Sequence, residues 1–177
     1  MWGTMRGTAS NVFHFVTIKP SHYEDDGYPI QWIRSAIPSN TLACLNALAE
    51  DAHRREILGP AVDIQLHTYD ETNRRVRPER IIRTIRKTGG RALIGLVGVQ
   101  SNQFPRAMDI ARPFIDAGLP VLAGGFHVSG CIAMGSCRRD DICHALFPAA
   151  CTTRTDAGRR GALMRGASRE FFIRLFS

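Results

Sequence analysis

The stretch ALIGLVGV, Ala92 to Val99, carries no polar side chain at any position. A strand with one wet face alternates between apolar and polar residues. A run without alternation must be covered on both faces, which is the situation of a central strand in a parallel sheet sandwiched between helices. The rest of the chain has to supply those layers. VFHFVTI (Val12 to Ile18) has the β-branched and aromatic content of a first strand. VDIQLHT sets Val62, Ile64 and Leu66 against Asp63, Gln65 and His67, so one side is polar and the segment belongs at a sheet edge. VLA (Val121 to Ala123) makes a fourth, short strand.

Helical periods lie between these strands. Asn40 is a suitable cap for a helix whose apolar positions are Leu42, Leu45, Leu48, Ala49 and Ala52, with Gly59-Pro60 as its end. Pro78 opens a second, with Ile81, Ile82 and Ile85 facing inward and Gly89-Gly90 as the left-handed exit. A third runs from Phe104 through Ala107, Met108, Ala111, Phe114 and Ile115 to Gly118. Within it, Pro113 costs about 3 kcal/mol at an interior position and predicts a kink or an early end. The order βαβαβαβ gives an α/β fold, a flavodoxin-like (Rossmann-like) three-layer parallel sheet of order 2-1-3-4 with a missing or degenerate fifth strand.

The 177 residues suffice for one self-supporting core, placed at residues 10–135, followed by a divergent, poorly ordered tail at 136–177. No apolar run reaches membrane-spanning length, and MWGTMRGTAS lacks the apolar core of a signal peptide, so a soluble cytoplasmic protein with no membrane partner is expected. The net charge of +7 is uneven: residues 1–136 carry 15 Lys+Arg against 12 Asp+Glu, and the tail carries 8 against 4. Arg74, Arg75, Arg77, Arg80, Arg83 and Arg86 read as the wet face of an amphipathic helix, which ranks nucleic acid last among partners. Cys131, Cys137, Cys143 and Cys151 match neither zinc nor iron–sulfur spacing, and free thiols are the reading preferred for them.

In a parallel sheet of this order the ligand lies outside the carboxyl ends of the strands, where three loops converge. They are the long KPSHYEDDGYPIQWIRSAIPS, QSNQFP after Val99, and GGFHVSG after Ala123. Gly124 and Gly125 let a ligand approach bare backbone, and the hydroxyls of Ser101 and Ser129 can bind phosphate or amide groups. A Gly-Gly pair equally marks a tight turn into a helix. On the ligand reading, Gly125→Val lowers affinity more than stability. The dinucleotide, P-loop and hydrolase-elbow motifs are absent. Magnesium held by Glu24, Asp25, Asp26 and His22 ranks below a solvated acidic turn, because adjacent carboxylates cannot all converge.

Taken together, the long first loop, YDETN and GLVGVQSNQFPRAMDIARPFIDAGLPVLAGGFHVSG resemble the amino-terminal cobalamin-binding domain of cobalamin-dependent radical S-adenosylmethionine proteins, over roughly Val12 to Met134. The resemblance implies a cobalamin-binding module, not catalytic by itself. Ser101, Asn102, Gln103, Gly124, Gly125, Phe126, His127 and Ser129 would enclose the cofactor's nucleotide tail. The DxHxxG that supplies a lower cobalt ligand in related cobalamin domains is missing, with Pro20 in the place of its aspartate, so no histidine beneath the cobalt is expected. His127 is read as a locally hydrogen-bonded loop residue. The CxxxCxxC of a radical domain does not follow, so an iron–sulfur cluster and S-adenosylmethionine are expected only in that missing domain. The Arg-rich, lysine-free tail fits an out-of-frame reading or a naturally divergent end. The alternative is a flavodoxin-like domain binding a nucleotide or phosphate at the same rim.

Overall fold

The computed structural model describes residues 11–31 and 39–133. Its elements are β1 (Val12–Lys19), α1 (Asn40–Arg54), β2 (Asp63–Asp70), α2 (Pro78–Lys87), β3 (Arg91–Leu96), α3 (Phe104–Asp116), β4 (Val121–Ala123) and α4 (Phe126–Ala133). All strand pairs are parallel and the order is β2-β1-β3-β4. This is the flavodoxin-like arrangement that the strand patterns predict. Among the described residues β2 and β4 are the edges, and β1 and β3 lie between them. A fifth strand and the character of residues 136–177 fall outside the described residues.

Each face of the sheet has its own core. On one, Val16, Ile18, Ile94 and Leu96 meet α2, α3 and Val128 of α4. On the other, Phe13, Phe15, Ile64 and Leu93 meet Ala49 and Ala52 of α1. β3 is buried from Ala92 to Leu96, as its unbroken apolar run requires.

Three local expectations change. The cap of α1 is Ser39, whose hydroxyl accepts from Leu42 N, and not Asn40, which is the first helical residue. The helix ends at Arg54, before Gly59-Pro60, through a turn that puts Glu56 at φ 50°. α3 does not end early at Pro113 but continues to Asp116. The proline falls in the last turn, and the wholly buried Phe114 beside it supplies about 1.5–3 kcal/mol of burial, comparable with the proline's cost.

At the amino end of the sheet His14 is fully buried and joins β2 to the end of α2. Thr88 gives its only hydroxyl proton to Ile85 O at 2.8 Å, so the 2.7 Å contact to His14 Nε2 must be donated by the histidine. His14 Nδ1 is then the unprotonated nitrogen. It accepts at 3.0 Å from His67 Nε2, whose ring stacks on it with centroids 5.2 Å apart. Burial lowers the pKa of both histidines. The positive charge of one lowers the other further at His14, against a small opposing effect of Asp63.

Candidate functional site

The carboxyl rim is where the three converging loops meet, and its two halves differ in construction. On the β1–β2 side the chain leaves Lys19 and forms a small hairpin, with Ile30 N donating to His22 O and Glu24 N to Tyr28 O, each at 2.8 Å. Glu24, Asp25 and Asp26 stand exposed at its tip, where Gly27 takes φ 80°. Glu71, just past β2, is completely buried. One of its oxygens accepts from Ser21 N at 3.2 Å and from Arg106 Nε at 3.0 Å, and the other accepts from Arg106 Nη2 at 2.6 Å. Arg106 also reaches Tyr23 Oη at 3.3 Å, and that hydroxyl donates to Asp109 at 2.5 Å. Burial pulls the Arg106 pKa down. The hydrogen bonds and negative charge around it outweigh that effect and hold it above its ordinary value. Burial and Asp109 together push the Tyr23 phenol up.

This network has no counterpart among the sequence expectations. Its bonded pairs are 35 to 86 positions apart in the sequence, and neither spacing nor periodicity joins them. The only early sign is Glu71 following the strand VDIQLHT at the place where a parallel sheet sends its ligands or its anchors.

On the β3–β4 side two loops lie together. Gly124 N donates to Leu96 O at 2.9 Å, Val99 N to Gly124 O at 3.1 Å, and His127 N to Val99 O at 3.2 Å. His127 Nδ1 lies 3.1 Å from Ser101 Oγ, and its ring packs on Phe104 with centroids 4.5 Å apart. His127 thus links the two loops, as a locally bonded residue does. Cys131, one helical turn on, brings its sulfur within 3.7 Å of His127 Nε2. Gly98 takes φ 65°, and its open side faces Thr41 in the first turn of α1.

The two glycines of GGFHVSG have separate reasons. A Cβ on Gly125 would stand 2.5 Å from Val99 O and 2.9 Å from Gly98 C, at φ 147°, so this glycine is fixed by the packing of one loop on the other. A Cβ on Gly124 would meet nothing within 4 Å, and its φ is not positive, so bare backbone there faces open space. Phe126 stands beside it, 79% exposed.

Of the eight residues expected to surround a ligand, Ser101 and Asn102 stand on one of the two joined loops and Gly124, Phe126 and His127 on the other, with Ser101, Asn102, Gly124 and Phe126 exposed. Gln103 turns inward, and its Oε1 accepts from Gln100 N at 3.0 Å to close the turn before α3. Gly125 is a packing position. Ser129 is exposed on α4, its amide bonded to Gly125 O.

No family model, curated protein or solved structure matches this chain. The site is therefore read from its own chemistry. The Ser101 hydroxyl and the Asn102 amide offer hydrogen bonds to a polar ligand, Gly124, whose N–H and C=O already bond Leu96 and Val99, offers close approach without a Cβ, and Phe126 offers an aromatic face to an apolar or planar ligand. Among the described residues no group of three His, Cys, Asp or Glu side chains is arranged to hold a metal, and no helix is long and apolar enough to cross a membrane.

Proposed function

We propose that the chain is a cobalamin-binding module that holds the cofactor across the β3–β4 half of the carboxyl rim, without a histidine beneath the cobalt and without catalytic groups of its own. The observation that carries this reading is the bare backbone of Gly124, open to solvent on a loop that His127 ties to Ser101 and that leaves Phe126 exposed. These residues fit a ligand with both amide or phosphate groups and a broad apolar face. In this reading Ser101 and Asn102 bond the nucleotide tail, Gly124 admits it to the backbone, and Phe126 packs on it. His127 keeps Ser101 oriented through their 3.1 Å contact. The organometallic chemistry belongs to the cofactor, and this chain binds and orients it. Iron–sulfur and S-adenosylmethionine chemistry belongs to a separate radical domain.

The test is to mix the purified chain with hydroxocobalamin, pass it through gel filtration and record the visible spectrum of the protein peak. Cobalamin should co-elute. Replacing any one of His14, His22, His53, His67, His127 or His144 by alanine should leave the bound cofactor's spectrum unchanged. Failure to co-elute overturns the reading, and a histidine variant that shifts the bound spectrum overturns the absence of a histidine ligand.

A further inference from the structure

The segment from β2 into α2 carries four arginines within seven positions, Arg74, Arg75, Arg77 and Arg80. All four are exposed, and with Tyr69 and Thr84 they line one surface groove of about 510 Å³ beside the β2 edge, apart from the Ser101–Gly124 rim. The sequence pattern alone makes these side chains the solvated face of a helix. The structure differs in that Arg74, Arg75 and Arg77 precede α2, and they converge with Arg80 on a single concavity.

The first turn of α2 holds one carboxylate, Glu79. None of the four guanidinium groups makes an ion pair among the described residues, whereas Arg106 is held by Glu71 at 2.6 Å. Arg77 is the N-cap of α2 without a side-chain capping bond, and Arg80 sits in the first turn. Helix N-termini carry partial positive charge, so cations there oppose the dipole and one another. The floor of the groove adds a hydroxyl: Tyr69 Oη has no hydrogen-bond partner among the described residues. Burial raises its pKa and nearby Arg74 opposes that rise. Thr84 gives its proton to Arg80 O and turns only lone pairs outward.

Guanidinium groups present paired N–H donors that match the oxygens of phosphate, and a concave set of them binds such groups more selectively than a flat basic face. We propose that this groove is a binding site for the phosphates of a small polyphosphate ligand, with Arg74, Arg75, Arg77 and Arg80 bonding its oxygens and Tyr69 donating from the floor. The site is independent of the cobalamin reading.

The probe is pyrophosphate, titrated calorimetrically into the full chain at low ionic strength, about 20 mM, where exposed charges are weakly screened. The expected result is one saturable site per chain. Arg74→Ala/Arg80→Ala should weaken it about tenfold or more, while Arg83→Ala/Arg86→Ala should leave it within about twofold. The second pair removes the same amount of charge, all of it from α2, but Arg83 and Arg86 line a neighbouring groove. Arg74→Ala/Arg80→Ala should also melt no lower than the parent chain, since it relieves repulsion and the opposed dipole. No binding at about 1 mM pyrophosphate, or equal losses in the two double variants, overturns the proposal. So does tighter binding of a single-stranded oligonucleotide that both double variants weaken equally, which would make the face a diffuse polyanion surface.

Discussion

On the β1–β2 side of the rim, Glu71 is wholly buried and both its oxygens are taken by Ser21 and Arg106, while on the β3–β4 side Ser101 and Gly124 reach solvent. The first half uses charge to fasten the loop after β1 onto α3. The second uses backbone hydrogen bonds to fasten two loops to each other and leaves Ser101, Asn102 and Gly124 exposed. A parallel sheet offers both strand ends to a ligand, yet here one is closed from within. The cost of desolvating a carboxylate and a guanidinium is offset only by close pairing and further hydrogen bonds, and a carboxylate with both oxygens already taken by its own chain is spent on holding the loop.

The largest effect should therefore come from opening the closed half. Glu71→Ala leaves Arg106, 12% exposed, without its carboxylate and should cost about 3–5 kcal/mol in urea unfolding. Glu71→Gln keeps an acceptor and should cost less. If Glu71→Ala costs under about 1 kcal/mol, the network behaves as a surface ion pair and the closed half is not closed by charge.

Gly125→Val comes next. The valine Cβ would enter the Val99 backbone at a φ that L-residues rarely adopt, and overpacking together with strain should cost about 2–4 kcal/mol. This reverses the sequence expectation that the substitution lowers affinity more than stability. A Gly125→Val chain with parental thermal stability would show that the two loops are not packed as tightly as their hydrogen bonds indicate.

The reversal shows where the sequence was legible. Periodicity reports which face of an element is buried, so the strand order, the edge position of VDIQLHT and the inward isoleucines of α2 followed from Ile64, Ile81 and Ile94 and their neighbours. The location of the rim followed from the strand order. Periodicity is silent about contacts between loops. It could not tell Gly124 from Gly125, nor see Gln103 turn inward, nor join Glu71 to Arg106 and Tyr23. Those depend on how loops pack after the sheet has placed them. The Ser39 cap was one residue from the expected Asn40, since both residue types accept from a helix amide and only the backbone geometry chooses between them.

A smaller effect lies at the opposite end of the sheet and is a control for the comparison, because it changes stability without touching either half of the rim. His14 and His67 have folded pKa values below the ordinary 6.5, so the unfolded chain binds more protons in acid. Their contribution is complete above about pH 6.5 and is lost as pH falls through the folded values. The melting temperature should fall from pH 7.5 to pH 5, and His67→Asn should flatten that fall. Protonating His14 at Nδ1 removes the acceptor for His67, so the Thr88–His14–His67 chain breaks in the middle. An unchanged slope in His67→Asn would assign the acid sensitivity elsewhere.

Gly124→Val should have the smallest effect on the fold and a large one on the ligand. Its Cβ would point into open space and its φ is not positive, so unfolding free energy should stay within about 0.5 kcal/mol of the parent. If the rim holds cobalamin as proposed, the isopropyl group would nevertheless occupy the open space beside the Gly124 backbone that the ligand would take. Cobalamin affinity should drop about tenfold or more, measured by the absorbance that co-elutes with the protein. Gly124→Val and Gly125→Val therefore separate along different axes although the residues are adjacent: one loses ligand and keeps its melting temperature, and the other loses both together. If Gly124→Val binds cobalamin as the parent chain does, the open half of the rim is open for some other reason, and the contrast with Glu71 describes only how the two loops are tied down.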